Sequence, residues 1–195
     1  MRKQDTRTTL IEAGENLMLA NGYNNTGLQD IVKAAGVPKG SFYHFFPSKE
    51  VFAHEVLTHH LQQAEPAIVA CLTAADVPPL QRLEHFFTAA RNSMADKQCE
   101  GGCLVGNLAQ ELADQNEAFR LRLDGVMQHW QGQIEHSLED ARQAGEIDVE
   151  TDVANLSRFL LDSWEGALMR SKVTKNTEPM DSFMQVVFGS ILKRN

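Results

Sequence analysis

The chain has 195 residues, 43 % of them apolar, which is enough to bury a sizeable core and excludes an intrinsically disordered polymer. No run of about eighteen apolar residues occurs, and the start, Met1-Arg2-Lys3-Gln4-Asp5-Thr6-Arg7, lacks the apolar stretch of a signal peptide, so a cytoplasmic protein without membrane association is expected. The net charge of −8 is unevenly spread: residues 1–50 hold six Lys/Arg against five Asp/Glu, residues 51–195 twelve against twenty-one, so an acidic total does not exclude nucleic-acid binding by the N-terminal end.

In chain order, the pattern is helical nearly everywhere, with no convincing alternating strand. Leu10, Ile11, Gly14, Leu17, Met18 and Asn21 share one face of a first helix that Gly22 ends. Thr26-Gly27-Leu28-Gln29 reads as a capping box opening a second helix, Leu28–Ala35, with Leu28, Ile31, Val32 and Ala35 inward and Gly36 as its stop. Pro38 suits the first turn of a third, Pro38–Phe45. Pro47-Ser48 ends that helix and caps a fourth from Lys49.

After Pro66 the elements lengthen. A helix follows Pro78-Pro79 to about Ala95, and Gly101-Gly102 breaks the chain before another, about Cys103–Ala113. The next, roughly Asn116–Ala144, lines up Phe119, Leu123, Val126, Met127, Trp130, Ile134, Leu138 and Ala141 and stops at Gly145. A helix over roughly Thr151–Lys172 carries Val153, Leu156, Phe159, Leu160, Trp164, Ala167 and Leu168, and a last one follows Pro179 with Phe183, Val187, Phe188, Ile191 and Leu192. The expected fold is all-α: a three-helix helix-turn-helix domain over 1–47 and a larger helical effector-binding and dimerisation domain over 48–195.

Two short helices joined by a tight glycine turn, here at Gly36-Val37, form a helix-turn-helix whose second helix enters the major groove. The groove demands small or polar outward residues there, and Lys39, Gly40, Ser41, Tyr43 and His44 meet that demand. Lys39 can reach a phosphate or a guanine edge, Gly40 permits close approach, and Tyr43 and His44 can donate to phosphates or bases. Phe42, Phe45 and Phe46 can anchor the helix. Lys49 and the amides capped by Ser48 offer a phosphate site at a helix N-terminus. A plain helical hairpin with an aromatic core would share this pattern.

The segment Gly36-Val37-Pro38-Lys39-Gly40-Ser41-Phe42-Tyr43-His44-Phe45-Phe46-Pro47-Ser48-Lys49-Glu50 closely resembles the DNA-binding signature of the TetR family of repressors. That resemblance implies a homodimer of all-helical subunits, a double-stranded DNA operator as partner, and a small-molecule effector. It implies Pro38–Phe45 as recognition helix and Thr26, Tyr43 and Lys49 as phosphate contacts, with Gly27 at the same surface. Gly102-Cys103-Leu104-Val105-Gly106-Asn107-Leu108, Trp130 and Trp164-Glu165-Gly166-Ala167 resemble the branch of that family with the acrylate-utilisation repressor, and the N-ethylmaleimide-sensing repressor shares its Gly-Cys-Leu. An acrylate-like acid or an electrophile is the implied effector type.

The expected effector-binding residues are Phe86, Cys103, Asn107, Met127, Trp130, Trp164 and Glu165. Each aromatic alone reads equally as core, whereas Asn107 and Glu165 lie in apolar stretches and need partners if buried. Cys103, after a Gly-Gly break at a helix start, has the setting of a nucleophilic thiol, and Cys99 four residues earlier of a resolving one; a small buried cysteine is the plainer reading. The three cysteines, Cys71 included, match no zinc spacing. His54 and His59 point apart at helical pitch, the adjacent His59-His60 do not share a face, and His129 and His136 are two turns apart, so no metal and no cofactor is expected. Phe159, Trp164, Leu168, Phe183, Val187 and Ile191 are the candidate dimer stripe. An enzyme built around Cys103 is an alternative without a supporting catalytic motif, and so no catalytic residue is assigned. An architectural DNA binder without an effector is another.

Overall fold

A computed structural model of the chain describes residues 3–192, so the outermost ends of the two expected domains, 1–2 and 193–195, lie outside the described residues. Nine α-helices are described: α1 (Lys3–Asn21), α2 (Leu28–Ala34), α3 (Lys39–Phe45), α4 (Lys49–Leu72), α5 (Pro79–Asp96), α6 (Leu104–Leu112), α7 (Glu117–Gln143), α8 (Val153–Thr174) and α9 (Glu178–Val186). A π turn, Val187–Ile191, continues α9, and there is no strand among the described residues.

Most boundaries follow local chemistry. Gly22 (φ +80), Gly36 (φ +65) and Gly145 (φ +71) stop helices in the left-handed conformation that an L side chain resists. Ser48 Oγ accepts from Val51 N–H at 3.1 Å, the expected cap on α4. Asp152 caps α8 through Asn155 N–H. The capping box at Thr26 does not form: Gly27 is the N-cap of α2, without a side-chain cap, and Thr26 Oγ1 instead donates back to Gly22 O at 2.6 Å. Pro38 stands one place earlier than expected, as the extended N-cap of α3. Pro66 lies inside α4, which runs through it despite the lost backbone donor.

The chain forms two compact units. The first holds residues up to Glu65 and Leu104–Leu123; the second holds Pro66–Cys103 and the chain from Asp124 onward. The first unit thus joins α6 and the start of α7 to the N-terminal helices.

In the first unit, Phe42, Phe46 and Phe52 form a buried triad with ring centroids 4.9–5.4 Å apart. Phe42 comes from α3 and Phe52 from α4, so the triad fixes α3 to its support, and burial of such rings is its main stabilisation. Gly14 makes room: a Cβ there would sit 2.3 Å from Phe52 Cζ. Leu10, Ile11, Met18, Ile31 and Val32 complete the inner faces of α1 and α2, as their spacing requires.

In the second unit, Phe87, Trp164 and Phe183 pack ring against ring at 4.9–5.2 Å. Leu83, Leu138, Leu160, Met180 and Val187 surround them. Trp164, only 4 % exposed, is therefore core. Phe159 and Ile191 remain exposed, while Trp164, Leu168, Phe183 and Val187 of the same expected dimer stripe are buried in the core.

Candidate nucleic-acid interface and effector region

The loop from α2 to α3 is set by backbone bonds alone. Gly36 N–H donates to Lys33 O, Val37 N–H to Val32 O, and Ser41 N–H to Pro38 O. With Phe42 fully buried, the opposite face of α3 is turned outward. Lys39, Gly40, Tyr43 and His44 are exposed and Ser41 is half-buried. Tyr43 keeps 55 % of its surface accessible, and nothing lies within 4 Å of a Cβ placed on Gly40. One short helix thus presents a cation, a phenol, an imidazole and an open glycine together. That is the donor set that phosphate and base edges take up.

Two expected contacts sit differently. Thr26 is 1 % exposed and its hydroxyl donates to Gly22 O, so in this conformation it shapes the α1–α2 turn. Lys49 also turns inward. Its Nζ donates to Tyr23 O at 2.6 Å and to Asn24 O at 3.4 Å, and it lies 4.3 Å from the centroid of the Tyr23 ring. Partial burial lowers the Lys49 ammonium below its ordinary range, against the field of Glu111, and burial pushes the Tyr23 phenol up. Gly27, the α2 N-cap, is half-buried.

Three further clusters of the first unit have no signature in local spacing. Glu111 accepts from the amides of Tyr23 and Asn24 at 2.9 and 2.8 Å. Arg122 donates to His54 O at 2.8 Å and to Thr58 Oγ1 at 2.6 Å, while its NH1 lies 3.0 Å from His54 Nδ1 and the His54 ring stacks on Phe119 at 3.9 Å. Burial first, and the Arg122 charge second, lower the His54 imidazole below its ordinary range. His59 Nδ1 and His60 Nδ1 both reach Glu15, at 3.0 and 2.8 Å. The two adjacent rings do not share a face, but one carboxylate on α1 offers a different oxygen to each. The hydrogen bond from His60 is the main cause holding the Glu15 carboxyl below its usual range.

Of the expected effector residues, Phe86, Cys103, Met127 and Trp130 are partly buried against the core of the second unit, and Trp164 is within it. Asn107 belongs to α6 in the first unit. Glu165 is half-buried and its carboxyl is pushed up by burial, opposed by a hydrogen bond with the Cys103 thiol. Cys99 is 2 % exposed within the apolar core, a poor position for a resolving thiol, and burial pushes the Cys71 thiol up. A cavity of about 930 Å³ lies elsewhere in this unit, lined by Arg142, Asp148, Thr151, Asn155, Phe159 and Ile191 among others. No three His, Cys, Asp or Glu side chains are grouped to hold a metal among the described residues.

An all-helical chain with this outward polar α3 has the arrangement of a helix-turn-helix DNA-binding protein. The family model described as "Bacterial regulatory proteins, tetR family" matches residues 10–56, and that described as "Tetracyclin repressor-like, C-terminal domain" matches residues 79–187. The chain belongs to the TetR family. It is 36 % identical to the HTH-type transcriptional repressor DhaR of Mycobacterium sp. (strain GP1), over 98 % of this chain and 95 % of that one. It is 34 % identical to the transcriptional regulator AcuR of Cereibacter sphaeroides, over 93 % and 82 %. Among solved structures it resembles the regulatory protein TetR from Rhodobacter sphaeroides, with TM-score 0.88, 34 % identity and 92 % and 95 % coverage. It also resembles Escherichia coli NemR in its reduced form, with TM-score 0.86, 28 % identity and 95 % and 96 % coverage. The relatives named are regulators. No described helix is long and apolar enough to cross a membrane.

Proposed function

We propose that this DNA-binding regulator is a cytoplasmic repressor that holds a palindromic operator as a homodimer and releases it when a small molecule occupies its second unit. The observation that carries the operator reading is the exposed Lys39–His44 face of α3, anchored from behind by Phe42. Two such faces spaced by a two-fold axis at about 34–36 Å match successive major grooves. Support for the two-fold comes from Phe159, Val186 and Ile191, large apolar side chains of α8, α9 and the π turn left exposed on the second unit.

A second reading concerns the trigger. Cys103 immediately precedes α6 and its thiol meets the Glu165 carboxyl, so an electrophile or oxidant that modifies this sulfur would insert bulk beside a half-buried acid. The likeness to the acrylate- and N-ethylmaleimide-responsive branch supports an acrylate-like acid or an electrophile as the effector class.

The test is footprinting on a duplex selected from a random library by the wild-type chain, repeated with acrylate and with N-ethylmaleimide, alongside sedimentation. The expected result is protection of two inverted half-sites by a dimer, lost with one of the two reagents. Cys103→Ser should retain protection in N-ethylmaleimide if the thiol is the trigger. A single protected half-site bound by a monomer contradicts the operator reading, and an unaltered N-ethylmaleimide response in Cys103→Ser removes the thiol.

A further inference from the structure

The turn between α1 and α2 is gripped from both sides. The amides of Tyr23 and Asn24 donate to Oε1 and Oε2 of Glu111, so one carboxylate commits both oxygens to consecutive peptide groups. The carbonyls of the same two residues accept from Lys49 Nζ. An anion from α6 and a cation from α4 therefore fix the peptide planes that lead into α2, the first helix of the helix-turn-helix. Charge-assisted bonds of this kind are stronger than neutral ones and orient what they hold.

The turn is shaped around the carboxylate. Gly22 takes φ +80, and a Cβ there would stand 2.4 Å from Glu111 Oε1, so the carboxylate reaches the two amides only past a glycine. Further along the same turn, the Thr26 hydroxyl donates back to Gly22 O. Tyr23 adds its ring beneath the Lys49 ammonium and against Phe119 at 6.1 Å.

We propose that Glu111 is a positioning residue for operator binding, fixing from α6 the turn that aims α2 and α3 at the duplex. The proposal rests on the operator reading of α3 given above.

Charge alone predicts the opposite effect. A carboxylate near a phosphate-binding surface repels the polyanion, so neutralising it should tighten binding. Positioning predicts loss, because glutamine keeps the shape but sets an NH2 against one of the two amide donors. The sign of the Glu111→Gln effect therefore separates the two.

The experiment measures affinity of the full-length chain for the library-selected duplex at fixed salt, with thermal unfolding in parallel. Wild type, Glu111→Gln, Glu111→Asp, Lys49→Met and the Glu111→Gln/Lys49→Met pair are compared. Glu111→Asp keeps the charge but shortens the reach. Both Glu111 variants should bind about tenfold more weakly, the loss expected when a charged hydrogen-bonded pair is broken. Since Lys49 acts through the same two residues, the double variant should bind within about threefold of Lys49→Met, the signature of coupled rather than independent sites. If Glu111→Gln melts well below wild type, Glu111→Asp and the double-variant comparison decide. Equal or tighter binding by both Glu111 variants overturns the proposal, as do losses that multiply in the pair. Failure of the wild-type chain to select any duplex would instead refute the operator reading itself.

Discussion

Burial first, and the neighbouring Arg122 charge second, set the chemistry of the His54 imidazole. The Arg122 guanidinium lies 3.0 Å from His54 Nδ1, the ring is stacked on Phe119, and protonation would set two cations together in a partly buried place. The folded imidazole therefore binds its proton more weakly than the unfolded one. With the folded value depressed, this site favours the fold above the unfolded imidazole range, about 6.5, and that support is lost as pH falls through it towards the folded value. The stability difference between wild type and His54→Gln, from urea unfolding at pH 7.5 and 5.5, should shift against wild type at the lower pH. A difference that does not move with pH contradicts the assignment.

The same scale marks what the sequence does not contain. A motif that implies phosphate contacts for Thr26 and Lys49 orders residues along the chain and carries no hydrogen-bond partners, which here are Gly22 O for Thr26 and Tyr23 O for Lys49. Glu111 is 88 residues from Tyr23, and no local periodicity encodes that meeting.

At the scale of elements, the amphipathic stripes and glycine stops of α1, α2, α7 and α8 were legible because periodicity and φ preference are local properties. Pro66 was not, since a helix held on both sides can tolerate a missing donor that local propensity counts as a break. The exposed face of α3 was legible too: the aromatic residues Phe42 and Phe46 had to go inward, leaving Lys39, Tyr43 and His44 outside. The effector region was legible only as composition. Phe86, Met127 and Trp130 pack on the core, and a stripe of apolar residues does not distinguish a pocket wall from packing.

Close packing of α1 on α4 gives a prediction at this scale. Phe52 is wedged between Phe42 and Phe46, so it has no free space into which to swing from an added methyl at position 14. Alanine gains roughly 1 kcal/mol of helix propensity over glycine. Overpacking costs about 1–3 kcal/mol and should win. Gly14→Ala is thus expected to lower the midpoint of thermal unfolding, and a raised midpoint contradicts the close approach of the two helices.

For the whole molecule, the acidic total and the operator-binding role are compatible because the charge is segregated along the chain, leaving the first fifty residues slightly basic. The first compact unit takes α6 and the start of α7 as well as the helix-turn-helix, so the reading head includes segments that follow the Gly101-Gly102 break. Regulation needs only that an effector prefer one conformation of such an assembly, and a coupling of about 1–3 kcal/mol suffices for a several-fold change in affinity.

The outward face of α3 is the proposed operator-binding surface. Its most direct test is the affinity of Lys39→Ala/Tyr43→Ala for the selected duplex, measured by fluorescence anisotropy beside wild type at one salt concentration. Both side chains are exposed, so unfolding midpoint and oligomeric state should be unchanged while affinity falls by at least about tenfold, the loss expected from removing two nucleic-acid contacts. Wild-type affinity in that variant would mean that the duplex is read by another surface.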